Sequence, residues 1–333
     1  MKIVHAPMEI GGQIGLFCKT LNEEGHQAVG FQFYRTFHGF TDHIVPTDQY
    51  ELMSLFGELM DDFDLFHFHF TMSIVPGYGD LDLLAKAGKP MVMHHWGNDV
   101  RRSSIASLRN PYVVTGRSPK EEQIHERLSR VGAVIPVGIV QDYEVYDYVK
   151  PYYNEVHVLP LAVDLDRLRP AYPKEEEQCP LVVHAPTDPA FKGTAIVERI
   201  VGELQRECPL RYRRIERMRH AEAVALYREA DIVIDQLLCG SYGLLSVEAM
   251  ALGKPAVAFV RDDLLGTFPG GSPPICSANP DTLYDVLKTL LRSGSLRRQK
   301  GIEGRAYAEA HHDRRAVTRQ LLRLYSRVAG MAR

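Results

Sequence analysis

Apolar residues in this chain gather in short runs separated by longer stretches with helical spacing. Lys2–Ala6 reads as a strand, and Gly11-Gly12 sits in the turn that follows, where a glycine pair lets a ligand approach the backbone closely. Residues 14–24 then have helical spacing and stop at Gly25-His26. Residues 65–70, LFHFHF, alternate phenylalanine with His67 and His69, so a buried strand carries both histidines on one face. Another strand, at 90–93, leads into His94-His95-Trp96-Gly97-Asn98-Asp99-Val100-Arg101, and a further one at 133–136 precedes a helix near 141–149. Strand–helix–strand order with apolar runs predicts a parallel, doubly wound α/β sheet, whose ligands gather at the carboxyl ends of the strands.

A second series of the same kind begins at Leu181–His184, beyond a polar linker at 174–178. A helix is expected from Lys192-Gly193-Thr194 to about 207 and another over 220–229, followed by a β-branched strand at 232–238. Gly240 and Gly243 then turn the chain sharply into a helix. The last helices, from 282 and from 305 onward, carry an apolar face at Ala316, Leu321, Leu322 and Tyr325. No internal repeat or low-complexity segment interrupts the two series.

With 333 residues the chain is long enough for two domains, and 45% hydrophobic and 24% charged residues suit a globular protein. A net charge of -3 with no long basic run gives no electrostatic footprint for nucleic acid. The five cysteines are odd in number and lack a C-x-x-C pair, as expected of reduced cytosolic thiols. Met1-Lys2-Ile3-Val4 enters a strand directly, and no apolar run reaches spanning length, so no signal peptide or membrane span is expected. The expected location is cytoplasmic.

The chemistry concentrates in residues 230–257. The first amides of the helix, those of Gly243, Leu244 and Leu245, would point into the cleft, where a helix N-terminus suits a phosphate. Glu248, about one turn further in, is suited to accept two hydroxyl hydrogens, as from a ribose diol. A nucleoside diphosphate is implied.

These residues resemble glycosyltransferase family 4, retaining enzymes of GT-B fold, through Gly240-Ser241-Tyr242-Gly243-Leu244, Glu248-Ala249-Met250-Ala251 and Gly253-Lys254-Pro255. The resemblance implies two Rossmann-like domains facing a central cleft: an acceptor domain over 1–168, a nucleotide-sugar domain over 169–308, and a closing helix at 309–333 that crosses back. Residues 158–170 resemble the family's hinge. Lys192 matches its phosphate-binding lysine, whereas Thr187 stands where an arginine belongs. Arg101 or Arg102 is a candidate second charge, with an exposed arginine pair as the equal alternative. Of the family's two glutamates, Glu248 matches the second, on the ribose, and Gly240 replaces the first, on the donor sugar; Asp235 or Ser241 could stand in. His95, or His94, matches the histidine near the reacting sugar, while Trp96 could stack on a sugar or plug the core. At least one of His67 and His69 reads first as a hydrogen-bonded core residue. No histidine or carboxylate set has metal-ligand spacing, and no divalent ion or cofactor is expected.

The expected activity is transfer of a sugar, with retention, from a nucleoside-diphosphate sugar to a hydroxyl acceptor: a glycan, a lipid-linked or a small molecule. His95, His94 and Lys192 would be catalytic. Gly11, Gly12, Lys192, Gly240, Ser241, Tyr242, Gly243, Leu244, Leu245 and Glu248 would bind the donor. A UDP-sugar is the first expectation for that donor. The family leaves room for peripheral contact with the inner face of the membrane. Loops at 37–50 and 70–79 would set acceptor choice, and oligomeric state is open. The alternative is a nucleotide-sugar-binding pseudoenzyme acting as a regulator or assembly partner, motivated by Gly240 and Thr187.

Overall fold

Short apolar segments become parallel strands in both halves of the chain. The computed structural model describes residues 1–34, 38–115 and 117–331. They divide into two units. The first holds residues up to 102, residues 117–162 and residues from 314 onward; the second holds 103–115 and 163–313.

The first unit is built on seven strands: β1 (Lys2–Ala6), β2 (Gln27–Gln32), β3 (Ile44–Pro46), β4 (Leu65–His69), β5 (Met91–His95), β6 (Val137–Val140) and β7 (Glu155–Val158). Their order is β3-β2-β1-β4-β5-β6-β7, and every neighbouring pair is parallel. All five residues of β4 are buried, as a central parallel strand covered on both faces requires. Phe66 and Phe68 take one face; His67 and His69 share the other, which packs against Phe17 of the helix Gln13–Glu23 and Tyr325 of the helix Arg314–Met331. Arg314 anchors that last helix to the first through Thr20 and Glu23.

The second unit has five parallel strands, β8 (Leu181–His184), β9 (Arg211–Arg214), β10 (Ile232–Ile234), β11 (Ala256–Ala258) and β12 (Cys276–Ser277), in the order β12-β11-β10-β8-β9. Its core joins Val182, Ile232 and Ile234 to Val197, Ile200, Val201 and Leu204 of the helix Thr194–Leu204.

Several elements differ from expectation. The strand expected at 133–136 lies at Val137–Val140, because the Ala133 amide still closes the helix Glu121–Gly132. The strand expected to reach 238 stops at Ile234, where Asp235 turns to the next helix. The helix expected from 305 is two, Gly294–His311 and Arg314–Met331, broken where the Val163 amide takes the His312 carbonyl. Residues 103–115 belong to the second unit, where the expected boundary gives them to the first, and residues 314–331 belong to the first unit. The first of these segments is tied into the second unit by Asn110, which donates to the carbonyls of Leu238 and Cys239 at 2.8 and 3.0 Å, and by the Tyr112 hydroxyl, which donates to Asp281. Among the described residues no helix is long and apolar enough to cross a membrane.

Candidate active site

In the second unit the chain leaves β8 towards β9 on one side and returns to β10 on the other. Loops at the carboxyl ends of β8 and β10 therefore part from each other, which opens a crevice at that point of the sheet. Lys192 arrives from the β8 side, at the end of the turn Pro189–Lys192, which Asp188 caps by accepting from the amides of Ala190 and Phe191. From the β10 side come residues 235–243 and the helix Leu244–Ala251. The Lys192 ammonium donates to Asp235 Oδ1 at 2.5 Å and to Gln236 Oε1 at 2.9 Å. Asp235 Oδ2 accepts from the Gly243 amide (2.9 Å), the Ser246 amide (3.3 Å) and the Ser246 hydroxyl (2.8 Å). Burial raises the Asp235 pKa, but the Lys192 ammonium and these donors outweigh it and hold the carboxyl below its ordinary range.

Asp235 thus takes one of the three amides expected to face a ligand, that of Gly243. Among the described residues the amides of Leu244 and Leu245 have no acceptor, and Lys192 keeps a third N–H. A side chain at Gly243 would crowd this contact. A Cβ there would stand 3.1 Å from Asp235 Oδ2 and from Gln236 Oε1, and 3.4 Å from Lys192 Nζ. Glu248, nearly buried on the same helix, is paired with His220 Nε2 at 2.5 Å. Burial lowers the His220 pKa, yet the Glu248 carboxylate more than offsets this and leaves it raised.

Gly240 stands where a glutamate would complete the resemblance, and its surroundings exclude one. It has φ +91°, and a Cβ would lie 2.8 Å from both Cγ and Cδ of Arg261 and 3.2 Å from Asn110 Nδ2. Arg261 is fixed in turn, by a two-point contact with Asp263 at 2.8 and 2.7 Å and by its amide on the Gly240 carbonyl. Ser241 gives its carbonyl to the Gln236 amide, and the Tyr242 hydroxyl is bonded to His312. Thr187 is exposed.

In the first unit the corresponding parting of loops lies between β1 and β4. Gly11 and Gly12 follow β1 with φ of 61° and 82°. The N-terminus they form is occupied by the chain's own carboxylate: Glu9 accepts from the amides of Ile14 at 3.3 Å and Gly15 at 2.9 Å. Burial pushes its pKa up to about 7 against those amides. His95, the last residue of β5, is fully buried with both nitrogens engaged, Nδ1 with Asp99 at 2.8 Å and Nε2 with the Tyr153 hydroxyl at 2.7 Å. Thr71 donates to the same Asp99 oxygen at 2.8 Å while holding a left-handed backbone, φ 51°. Burial opposes the Asp99 charge, but His95, the Trp96 amide and Thr71 keep its pKa low. His94 faces the other side of the sheet, its ring stacked 3.9 Å from Trp96 and both nitrogens without a partner. Arg101 makes a two-point contact with Glu144, and Arg102 donates to Tyr152 and to the Tyr148 carbonyl, so both are engaged within this unit.

Neither protein-family models nor curated protein sequences give a match to the chain. Solved structures do. Sucrose-phosphate synthase from Thermosynechococcus elongatus superposes with a TM-score of 0.61 at 13% identity, over 99% of this chain and 100% of its own. An alpha-glucosyltransferase in complex with UDP and a 13-mer DNA reaches 0.64 at 12% identity, over 98% and 99%. WaaG, a glycosyltransferase involved in lipopolysaccharide biosynthesis, reaches 0.58 at 14% identity, over 96% and 98%. The chain has the GT-B fold. Within this GT-B fold the structure gathers Lys192, the 240–245 loop and Glu248 at one crevice of the second unit, and places Gly11, Gly12, His94 and His95 in the first.

Sequence reasoning missed several members of these sites. His220 and Glu9 have no motif to mark them, and Asn110 reaches its partners from more than a hundred residues away. Asp99, four residues after His95, was legible as a spacing. The histidines offered a stronger signal: β4 carries His67 and His69 on one face, and His5 of β1 is the register partner of His67. One nitrogen from each of His5, His67 and His69 lies within 4.8 Å of the others.

Proposed function

We propose that this protein transfers a sugar, with retention at the anomeric carbon, from a nucleoside-diphosphate sugar to a hydroxyl acceptor. The observation that carries the reading is the crevice between β8 and β10. A lysine ammonium and two unpaired helix amides meet there, and a carboxylate lies one turn beyond, on a chain whose fold is shared along nearly its whole length with glycosyltransferases. As the glycosidic bond breaks, negative charge grows on the leaving diphosphate. Lys192 and the amides of Leu244 and Leu245 are preorganised donors for that charge, each worth about 3 kcal/mol of barrier. Glu248 orients the ribose, exchanging its hydrogen bond with His220 for the diol. Since Asp235 neutralises part of the Lys192 charge, the helix amides carry more of the phosphate binding than the resemblance alone would assign them.

His95 has no free ring nitrogen, so its part is to hold the end of β5 and Thr71 in place. Neighbouring alpha-glucosyltransferase structures hold UDP or UDP-glucose, which makes a UDP-sugar the first donor to try. The test is release of free nucleoside diphosphate from UDP-, GDP-, ADP- and dTDP-sugars, with and without mixed hydroxyl acceptors, beside thermal-shift binding of the same panel. Turnover of one donor that disappears in Glu248→Ala supports the transferase. Binding without turnover under every acceptor would leave a pseudoenzyme, and absence of binding would overturn the site.

A further inference from the structure

The polar cluster that the proposed function leaves unused lies under the β1–β4 crevice of the first unit. His5 sits next to the carboxyl end of β1, and His69 ends β4. Parallel register sets His5 beside His67 and His69 beside His94, so four imidazoles form a quadrilateral on one face of three adjacent strands. All four are essentially inaccessible. Their ring centroids are 4.6 Å apart for His5 and His67, 4.2 Å for His67 and His69, and 5.7 Å for His69 and His94.

The hydrogen bonds inside the cluster are too few for the nitrogens present. His69 Nε2 meets His5 Nδ1 at 3.1 Å, His5 Nε2 meets the Tyr325 hydroxyl at 3.2 Å, and the same hydroxyl meets His67 Nδ1 at 2.6 Å. That uses one chain of three contacts and leaves His67 Nε2, His69 Nδ1 and both nitrogens of His94 without a partner. Buried polar atoms are ordinarily satisfied, and four unpartnered nitrogens within one cluster demand an explanation.

We infer that His5, His67 and His69 form a binding site for a late first-row divalent metal ion, zinc being the simplest occupant. Three all-imidazole donors with no carboxylate or thiolate suit zinc, copper, nickel or cobalt rather than calcium or magnesium. Each ligand offers one nitrogen, and those nitrogens already lie within 4.8 Å of one another, which needs only a small closure around an ion. Tyr325 supplies the outer contact that metal-bound imidazoles usually have: its oxygen can accept from His5 Nε2 and His67 Nδ1 together, leaving the opposite nitrogens, His5 Nδ1 and His67 Nε2, for the ion. Burial holds these imidazoles in the neutral form, with the His5 pKa lowered to about 3, so binding need not displace protons from them. The ion would clamp β1 to β4 at the point where the first unit's crevice opens. This site stands independently of the sugar-transfer reading.

Because the ligands are buried, loading is tested through folding. The full chain is unfolded in denaturant with a chelator, refolded with Zn²⁺ or Co²⁺, passed through gel filtration and assayed for metal. About one ion per chain is expected, with a visible tetrahedral absorption from the cobalt form and a raised Tm over the chelated protein. His5→Leu and His69→Leu should lose the bound ion and the cobalt spectrum, whereas His157→Ala, on β7 with its ring partly exposed, should keep both. Refolded wild type that retains no zinc and gives no cobalt absorption overturns the site, whether or not the variants fold. So does a stoichiometry unchanged in folded His5→Leu and His69→Leu.

Discussion

Gly240 shows how a departure from a familiar motif can be written into the backbone. Replacing it with glutamate would force a side chain into a left-handed position within 2.8 Å of Arg261, so Gly240→Glu should lose about 1–3 kcal/mol of stability and gain no donor turnover. Chemical denaturation and nucleoside-diphosphate release check the two halves of that statement. Glu9 gives a pH-dependent counterpart. Its folded pKa, near 7, is raised by burial above the unfolded value. Between the two the folded state binds the extra proton, so wild-type stability falls as pH rises through that interval. The Tm of Glu9→Gln measured against wild type should therefore improve steadily from about pH 5 to pH 8. Such residues mark the limit of sequence reading. Lys192 and Glu248 could be named because each belongs to a local string, whereas the obstruction at Gly240 comes from Arg261 and Asn110, which only the fold brings to it.

At the scale of elements, the junction between β10 and the helix Leu244–Ala251 turns on Asp235. It is not free to stand in for the missing carboxylate, because it caps the helix and holds the lysine. Lys192→Ala leaves that carboxylate buried and unpaired, and should cost about 3–5 kcal/mol along with donor affinity. Adding Asp235→Asn removes the stranded charge, so the double variant should recover Tm without recovering donor binding; recovery of both would remove Lys192 from the site. The neighbouring His220–Glu248 pair follows the same pH rule as Glu9, over a higher interval. A histidine pKa raised by folding contributes stability below its unfolded value of about 6.5 and loses it as pH rises through the raised value. The Tm difference between wild type and His220→Ala should accordingly be widest near pH 6 and close at alkaline pH. Parallel strands were the legible elements, since burial on both faces makes them continuous apolar runs. Of the unpredicted strands, β3, β7, β9 and β12 are sheet edges and β2 and β11 lie one place in from an edge; β9, reading Arg-Tyr-Arg-Arg, has no apolar pattern to find.

At the scale of the whole chain, two α/β series were legible from element order and the GT-B fold followed from the resemblance, while the place of residues 103–115 in the second unit was not legible. Residues 103–115 and 314–331 join their units through side chains such as Asn110, Arg314 and Tyr325, whose partners are distant in sequence. A fragment ending at residue 168 lacks the helix whose Val317, Leu321, Tyr325 and Val328 are buried. It should be largely unfolded by circular dichroism, and restoring residues 314–331 through a flexible linker should recover structure. The backbone changes unit at residues 103, 117, 163 and 314. On the ribosome this inverts the order in which the halves can be finished. Every residue of the second unit has emerged once 313 is clear of the exit tunnel, while the first unit, begun at Met1, still waits for its last helix. A chain of residues 1–313 held on the ribosome by an unstructured linker long enough to fill the exit tunnel should therefore protect the second unit from protease while the first remains cleavable, so that the half made first is completed last.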